Sequence, residues 1–419
     1  MTERIRTGRG SGLIARIQTW FRTLGADLWT DGKGWVLLFL SVGHLLALGT
    51  RLVYPALLPS ITAAYDLTLT TAGMVLSLIW VAFALAQVPG GLLADRIGER
   101  VTLAAAIGVT GVAVAIVVLA PVFAVFLLGL VVFGVASGAY GTPRITALSD
   151  IYPERGGIAI GLQSAAGNVG TAALPVIAAA IAGVLGWRAG LGFVIPGFVA
   201  VAVGIWLVVP DRTSPAMDTT DESATATGRR VLGAVVHRPV FVGMVTMTSM
   251  MFVYQAFTGF LPTFLVEVKG FTEGTAATML GIFFASAIVL QPLAGGIADR
   301  YGERRIMAVL AVVTVLTVGA FPFVESVAVA AVLSAVAGGQ LGFWPPAFTY
   351  VTASLPDELQ GSGFGLLRTV FILIGAAGPV MVGWLADAGY FSEAFFVLSA
   401  IAATAIGLSL LLPRTPRSV

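Results

Sequence analysis

The chain of 419 residues has no cysteine, two histidines and one asparagine, and only 11% of its residues are charged. Without cysteine there is no disulfide framework, thiolate metal site or cysteine nucleophile, and two histidines are too few for a metal cluster. The shortage of charge excludes a water-soluble fold. Soluble domains carry about 25% charged residues, and 23 basic and 21 acidic side chains could not cover the surface of a chain this long. Membrane-enzyme signatures are missing too: there is no HExxH helix and no GxxxxGK[ST] loop. A buried serine–histidine pair would have to recruit His44, because His237 falls in a polar stretch far from it. No cofactor and no nucleic-acid partner is expected.

What the chain has is apolar length, with 58% hydrophobic residues. Runs of about 20 apolar residues, long enough to cross a bilayer as helices, fall near 35–59, 71–94, 101–120, 122–147, 157–185, 188–209, 239–265, 275–298, 305–323, 327–352, 361–386 and 392–412. The fold class predicted is an all-α polytopic membrane protein with twelve spans. An even number puts both termini on one side, and basic residues choose which. With the termini in the cytoplasm, 18 Arg and Lys residues lie inside and only Arg188 and Lys269 outside. The site of action is then the cell membrane, with both ends cytoplasmic.

Residues 1–34 precede the first span. Leu13, Ile14, Ile17, Trp20, Phe21, Leu24 and Leu28 share one helical face, which predicts an amphipathic helix lying in the headgroup plane. Arg22 and Asp27 interrupt the apolar core that a signal peptide would need. Residues 210–238, rich in Asp, Thr, Ser and Ala, read as a cytoplasmic linker between spans six and seven. The expected organisation is a six-helix bundle over 35–209, the linker, a second bundle over 239–413 and a tail over 414–419.

The halves repeat. Ala94-Asp95-Arg96-Ile97-Gly98-Glu99-Arg100 returns as Ala298-Asp299-Arg300-Tyr301-Gly302-Glu303-Arg304, six of seven residues identical at an offset of 204, and Gln87 and Gln291 keep the same offset. Both halves enter from the same side, a parallel duplication. On these residues, with Gly91-Leu92-Leu93 leading into the first copy, the chain resembles the major facilitator superfamily, whose signature loop joins spans two and three and recurs between spans eight and nine. The resemblance implies two homologous six-helix bundles and secondary transport by alternating access, by a monomer. Gly98 and Gly302 suit the tight reversal, and Arg96 and Arg100, like Arg300 and Arg304, face anionic headgroups. Asp95 and Asp299 are the candidate latch that holds one access state.

Three basic residues lie within spans: Arg51, Arg144 and Arg368. All 21 acids fall in loops, tails or the last turn of a span, so none neutralises these cations in the membrane interior. A cation in a transmembrane helix costs a few kcal/mol or more and marks a functional site by default. The missing partner is an anionic substrate. Arg51 lies near the middle of span one, with His44 seven residues before it and Tyr54 one turn after. Arg368 offers its planar fork from span eleven. Arg144, near the end of span four, either joins it or reaches the headgroups.

Asn168 and the pair Gln87 and Gln291 are further candidate substrate contacts, as are Tyr254 and Gln255, which sit at the place in span seven equivalent to Arg51. Gly167 and Gly170 read as a close helix contact. In span ten, Phe343-Trp344-Pro345-Pro346 breaks or kinks the helix, since proline removes backbone donors, and makes Trp344 and Pro345 gate candidates.

Departures from the drug-exporting pattern weigh against export of cations: Leu130 stands where those branches carry arginine, and Gly167, Gly170 and Pro175 match their glycine-proline motif poorly. The first-span arginine resembles the organic-anion and organophosphate branches, but Thr50 precedes it where several of those have an acid. Carboxylate-based proton coupling is thereby disfavoured, leaving anion exchange or symport with His44 as proton carrier. The function expected is a secondary transporter of a small organic or inorganic anion, with a co- or counter-transported ion. The alternative is an exporter of hydrophobic neutral or drug-like compounds, and a more distant one is a transport-dead sensor on the same fold.

Overall fold

The computed structural model describes residues 28–213, 233, 237–356, 359–360 and 362–413. Among them there is no strand, and twelve spans are long and apolar enough to cross a bilayer: α1 (Lys33–Ala56), α2 (Leu69–Ile97), α3 (Glu99–Leu119), α4 (Phe123–Ile151), α5 (Gly156–Leu185), α6 (Trp187–Val208), α7 (Arg238–Glu267), α8 (Glu273–Tyr301), α9 (Glu303–Phe323), α10 (Val327–Ala353), α11 (Gly363–Asp387) and α12 (Phe391–Leu411). Each lies within a turn or so of a run expected from the sequence. The protein is therefore a multi-pass membrane protein. The interfacial helix expected before α1 lies outside the described residues except for Leu28, whose carbonyl accepts a hydrogen bond from the Tyr152 hydroxyl. Most of the 210–238 linker and the 414–419 tail lie outside them as well.

The repeat extends to backbone detail. Thr68 and Thr272, at the same 204-residue offset, each cap a helix start, accepting from the Thr71 and Thr275 amides at 3.2 Å. Gly98 and Gly302 close the reversals after α2 and α8 with φ of 90° and 88°, a conformation that a side chain would strain. The two arginines that follow are not turned to headgroups. Arg100 bonds the Val209 carbonyl through Nε and pairs with Asp211 at 2.6 Å, while Arg304 donates to the Leu412 carbonyl at 2.8 Å. Each ties the start of one helix to the end of the last helix in its half, where a helix dipole welcomes positive charge.

Outside the repeat of loops, α10 is interrupted. A 3₁₀ stretch, Gly338–Phe343, divides Val327–Ala337 from Trp344–Ala353. Pro345 and Pro346 fall in the first turn of the second segment, where a missing N–H does no harm. The break precedes the prolines.

The halves meet mainly where α2 packs on α11 and α5 on α8, two contacts related by the repeat. At the end away from the Gly98 and Gly302 reversals the meeting is sealed by carboxylates. Asp387 of α11 accepts from the Leu69 and Thr70 amides at 2.8 Å and from the Thr70 hydroxyl, at the start of α2. Glu273 of α8 accepts from Ser60 at 2.7 and 2.8 Å, on the short helix Leu58–Tyr65. Below this seal, the α2 backbone at Gly73 packs directly against Pro379 and Val380. At the opposite end, Asp95 and Asp299 are exposed and have no hydrogen-bond or ion-pair partner among the described residues. Among the described residues, the carboxylate bonds that join the halves lie at one end.

Asp387→Ala removes the acceptor of three bonds between halves, so it should loosen the sealed end. In the cysteine-free background, Leu76→Cys should react several-fold faster with a membrane-impermeant thiol reagent applied on that side when Asp387 is alanine. Equal labelling rates would show that the seal does not depend on this carboxylate.

Candidate anion-binding site

The site grows from α1. Arg51 is 5% exposed, and among the described residues no carboxylate or other hydrogen-bond partner reaches its guanidinium, whose Nε is buried. What it has instead is aromatic. The guanidinium carbon lies 3.6 Å from the ring centroid of Phe83 and 4.9 Å from that of Trp80, both on α2. Desolvated cation–π contacts are worth about 2 kcal/mol, and they leave the N–H edge of the group free. Beside it is a cavity with room for about one water, lined by Leu76, Ile79, Trp80, Gln255 and Thr258 among others.

The other spans bring more positive charge and no acid. His44, Arg144 of α4 and Arg368 of α11 lie within electrostatic reach of Arg51 and of one another, and among the described residues no carboxylate shares that neighbourhood. His44 is half-buried against Gly167, where a Cβ would come within 2.6 Å of Nε2; the glycine makes room for the ring. Arg144 does not reach outward: it donates to Gln163 Oε1, and Gln163 in turn donates to the Leu40 carbonyl at 3.4 Å. Arg368 is half-buried with no hydrogen-bond or ion-pair partner among the described residues. Three guanidinium groups and an imidazole from both halves thus share one region without a counter-charge.

The remaining candidates divide. Asn168 of α5 donates to Gln291 of α8 at 3.2 Å, a hydrogen bond between the halves, and Gln291 donates onward to the Leu341 carbonyl. Gln87, its repeat mate, stays in its own half beside Gly141 with a buried, unpartnered amide nitrogen. Gln255, at the offset position of Arg51, donates to the Ile372 carbonyl at 3.1 Å and keeps its own oxygen unpartnered. Tyr254 lies at the meeting of the halves, its ring 6.1 Å from Trp80 and 6.4 Å from both Phe284 and Trp344. Tyr54 is fully buried within the first half, 5.3 Å from Phe133, and is not among the residues lining the Arg51 cavity. Trp344, with Pro345 behind it, stacks on Phe371 of α11 at 5.9 Å and 16°. Sequence reasoning missed Trp80 and Phe83, which an apolar helix does not advertise. It also missed Gln340, buried in the 3₁₀ stretch of α10 with both amide atoms unpartnered; a lone amide in an apolar run was the available signal.

Comparison with known proteins follows the same lines. The sequence profile of the Major Facilitator Superfamily matches residues 39–339 and 270–419. The chain is 26% identical over 369 residues to the Probable sulfoacetate transporter SauU of Cupriavidus necator, covering 82% of this chain and 85% of that protein. It is 29% identical over 132 residues to the Multi-drug resistance efflux pump PmrA of Streptococcus pneumoniae, a match to 30% of this chain that spans about a third, 33%, of the pump's length. The crystal structure of a bacterial homolog to the human lysosomal transporter Spinster, in an inward-facing and unoccupied conformation, superposes with a TM-score of 0.81 at 17% identity, covering 92% of this chain and 98% of that one.

An unpaired cation in the membrane interior costs stability, so replacing it with an apolar side chain of similar length should recover some. Arg51→Met is expected to raise the melting temperature of the purified protein, at about 2–4 °C per kcal/mol, while abolishing response to any anionic ligand. A lower melting temperature would show that Arg51 is a packing residue.

Proposed function

This chain belongs to the Major Facilitator Superfamily and is a membrane transporter, and from that premise we propose that it moves a small anion by alternating access, with Arg51, Arg144 and Arg368 as the cationic side of the binding site. The observation that carries this reading is the convergence of three arginines and His44 with no acid among them. A similar protein whose name assigns it sulfoacetate, an organic anion, supports the class.

The same arrangement favours exchange. Arg144 belongs to the first half and Arg368 to the second, so closing the unsealed end brings like charges together unless an anion lies between them. The empty carrier resists closure, and the loaded one does not. Asp95 and Asp299 are the proposed latch of that closed state; they are free while this end is unsealed. The excess of basic residues supports a cytoplasmic side for the end that carries the Gly98 and Gly302 reversals and for both termini. A second reading, export of hydrophobic neutral compounds, draws on the resemblance to a drug-efflux pump and on the rings around Tyr254.

Melting temperature should rise with a saturating anion, by the equivalent of about 2.7 kcal/mol at 100 times its dissociation constant, across a panel of nitrate, phosphate, mono- and dicarboxylates and sugar phosphates. The shift should vanish in Arg51→Gln. In proteoliposomes, uptake of a labelled anion should require anion inside and not a pH gradient. Neutral apolar compounds shifting the wild type while no anion does would give the site to the second reading.

A further inference from the structure

Each half of the molecule sets an arginine near aromatic residues, over two rings in the first half and by helical spacing in the second. In the first half Arg51 lies over Phe83 and Trp80. In the second, Arg368 stands one turn after Phe364 and one turn before Phe371, on one helical stripe. Those rings continue into α10: Phe364 meets Phe348 at 5.4 Å, Phe348 meets Trp344 at 5.7 Å, and Trp344 stacks on Phe371. Tyr254 joins the two sets through Trp80 and Trp344. A continuous belt of rings therefore runs across the meeting of the halves, with a cation at each end.

Such walls suit a small inorganic anion badly. Nitrate or phosphate needs donors around most of its surface, because whatever is not bonded has been stripped of water for nothing. Among the residues that line the Arg51 cavity, the neutral polar groups give it little. The Thr258 hydroxyl donates to the Tyr254 carbonyl, and the Gln255 amide nitrogen donates to the Ile372 carbonyl, leaving an acceptor oxygen that repels negative charge. Leu76, Ile79 and Trp80 complete the lining. Guanidinium edges set against walls of carbon are complementary to a ligand with one charged end and an apolar remainder.

Resting on the anion reading above, we infer that the cargo is an organic anion with a planar apolar body, its charged group taken by the free edge of an arginine and its body by the ring belt.

The test is isothermal titration of the detergent-solubilised full chain with benzoate, acetate, nitrate and benzamide. Each ring pair gained is worth roughly 2- to 12-fold in affinity, so benzoate should bind at least about 10-fold more tightly than acetate or nitrate, and benzamide should not compete. Trp344→Leu should bring the benzoate-to-acetate ratio toward one. Acetate or nitrate binding as tightly as benzoate overturns the inference and leaves the arginine reading standing. Benzamide binding as tightly as benzoate overturns both. The wild-type series decides the matter even where the tryptophan variant does not fold.

Discussion

A guanidinium without a counter-charge inside hydrocarbon is the constraint around which this molecule is arranged. Arg51 cannot shed its charge at any ordinary pH, and no acid in the membrane interior answers it. The chain meets the cost with polarizable surface: Phe83 and Trp80 take the guanidinium, Trp80 touches Tyr254, and Tyr254 touches Trp344. Stabilisation by rings satisfies a cation without satisfying its N–H groups. The residue is thus held in place and still hungry for an acceptor, which is the condition a binding group must meet.

The duplication separates the features that the halves share from those in which they differ. Thr68 and Thr272, Gly98 and Gly302, and Arg100 and Arg304 keep the same jobs in both halves. These serve the bundle itself, and symmetry suits them. Toward the centre the copies part: Arg51 faces a glutamine at its mate position, Gln255, and of the paired glutamines only Gln291 reaches across to the other half. A binding site built between two similar halves needs unlike walls, because one ligand cannot be symmetric to both.

Much of this was legible in the sequence, for reasons that also mark the limit. The twelve spans follow from hydrocarbon thickness, and the repeat from identical letters. Arg51, Arg144 and Arg368 stood out because charge in an apolar run is costly. Trp80 and Phe83 gave no contrast, since rings are at home in lipid, so the partners of Arg51 needed the packing of α1 on α2. Tyr54 was placed with Arg51 by spacing, yet three residues leave two side chains about 60° apart on a helix, enough to send the ring to Phe133. Arg100 was expected at the headgroups because the sequence does not say that the end of α6 comes beside it.

The crowding of positive charge in the central region carries one more consequence, an electrical one. Work against a membrane potential is about 2.3 kcal/mol for each elementary charge carried across 100 mV, and the proposed rocking of the halves would shift Arg51, Arg144 and Arg368 through part of that field. The proposed anion would cancel some of the moving charge, so that the voltage of the cell would press hardest on the unloaded protein and set the side on which it waits.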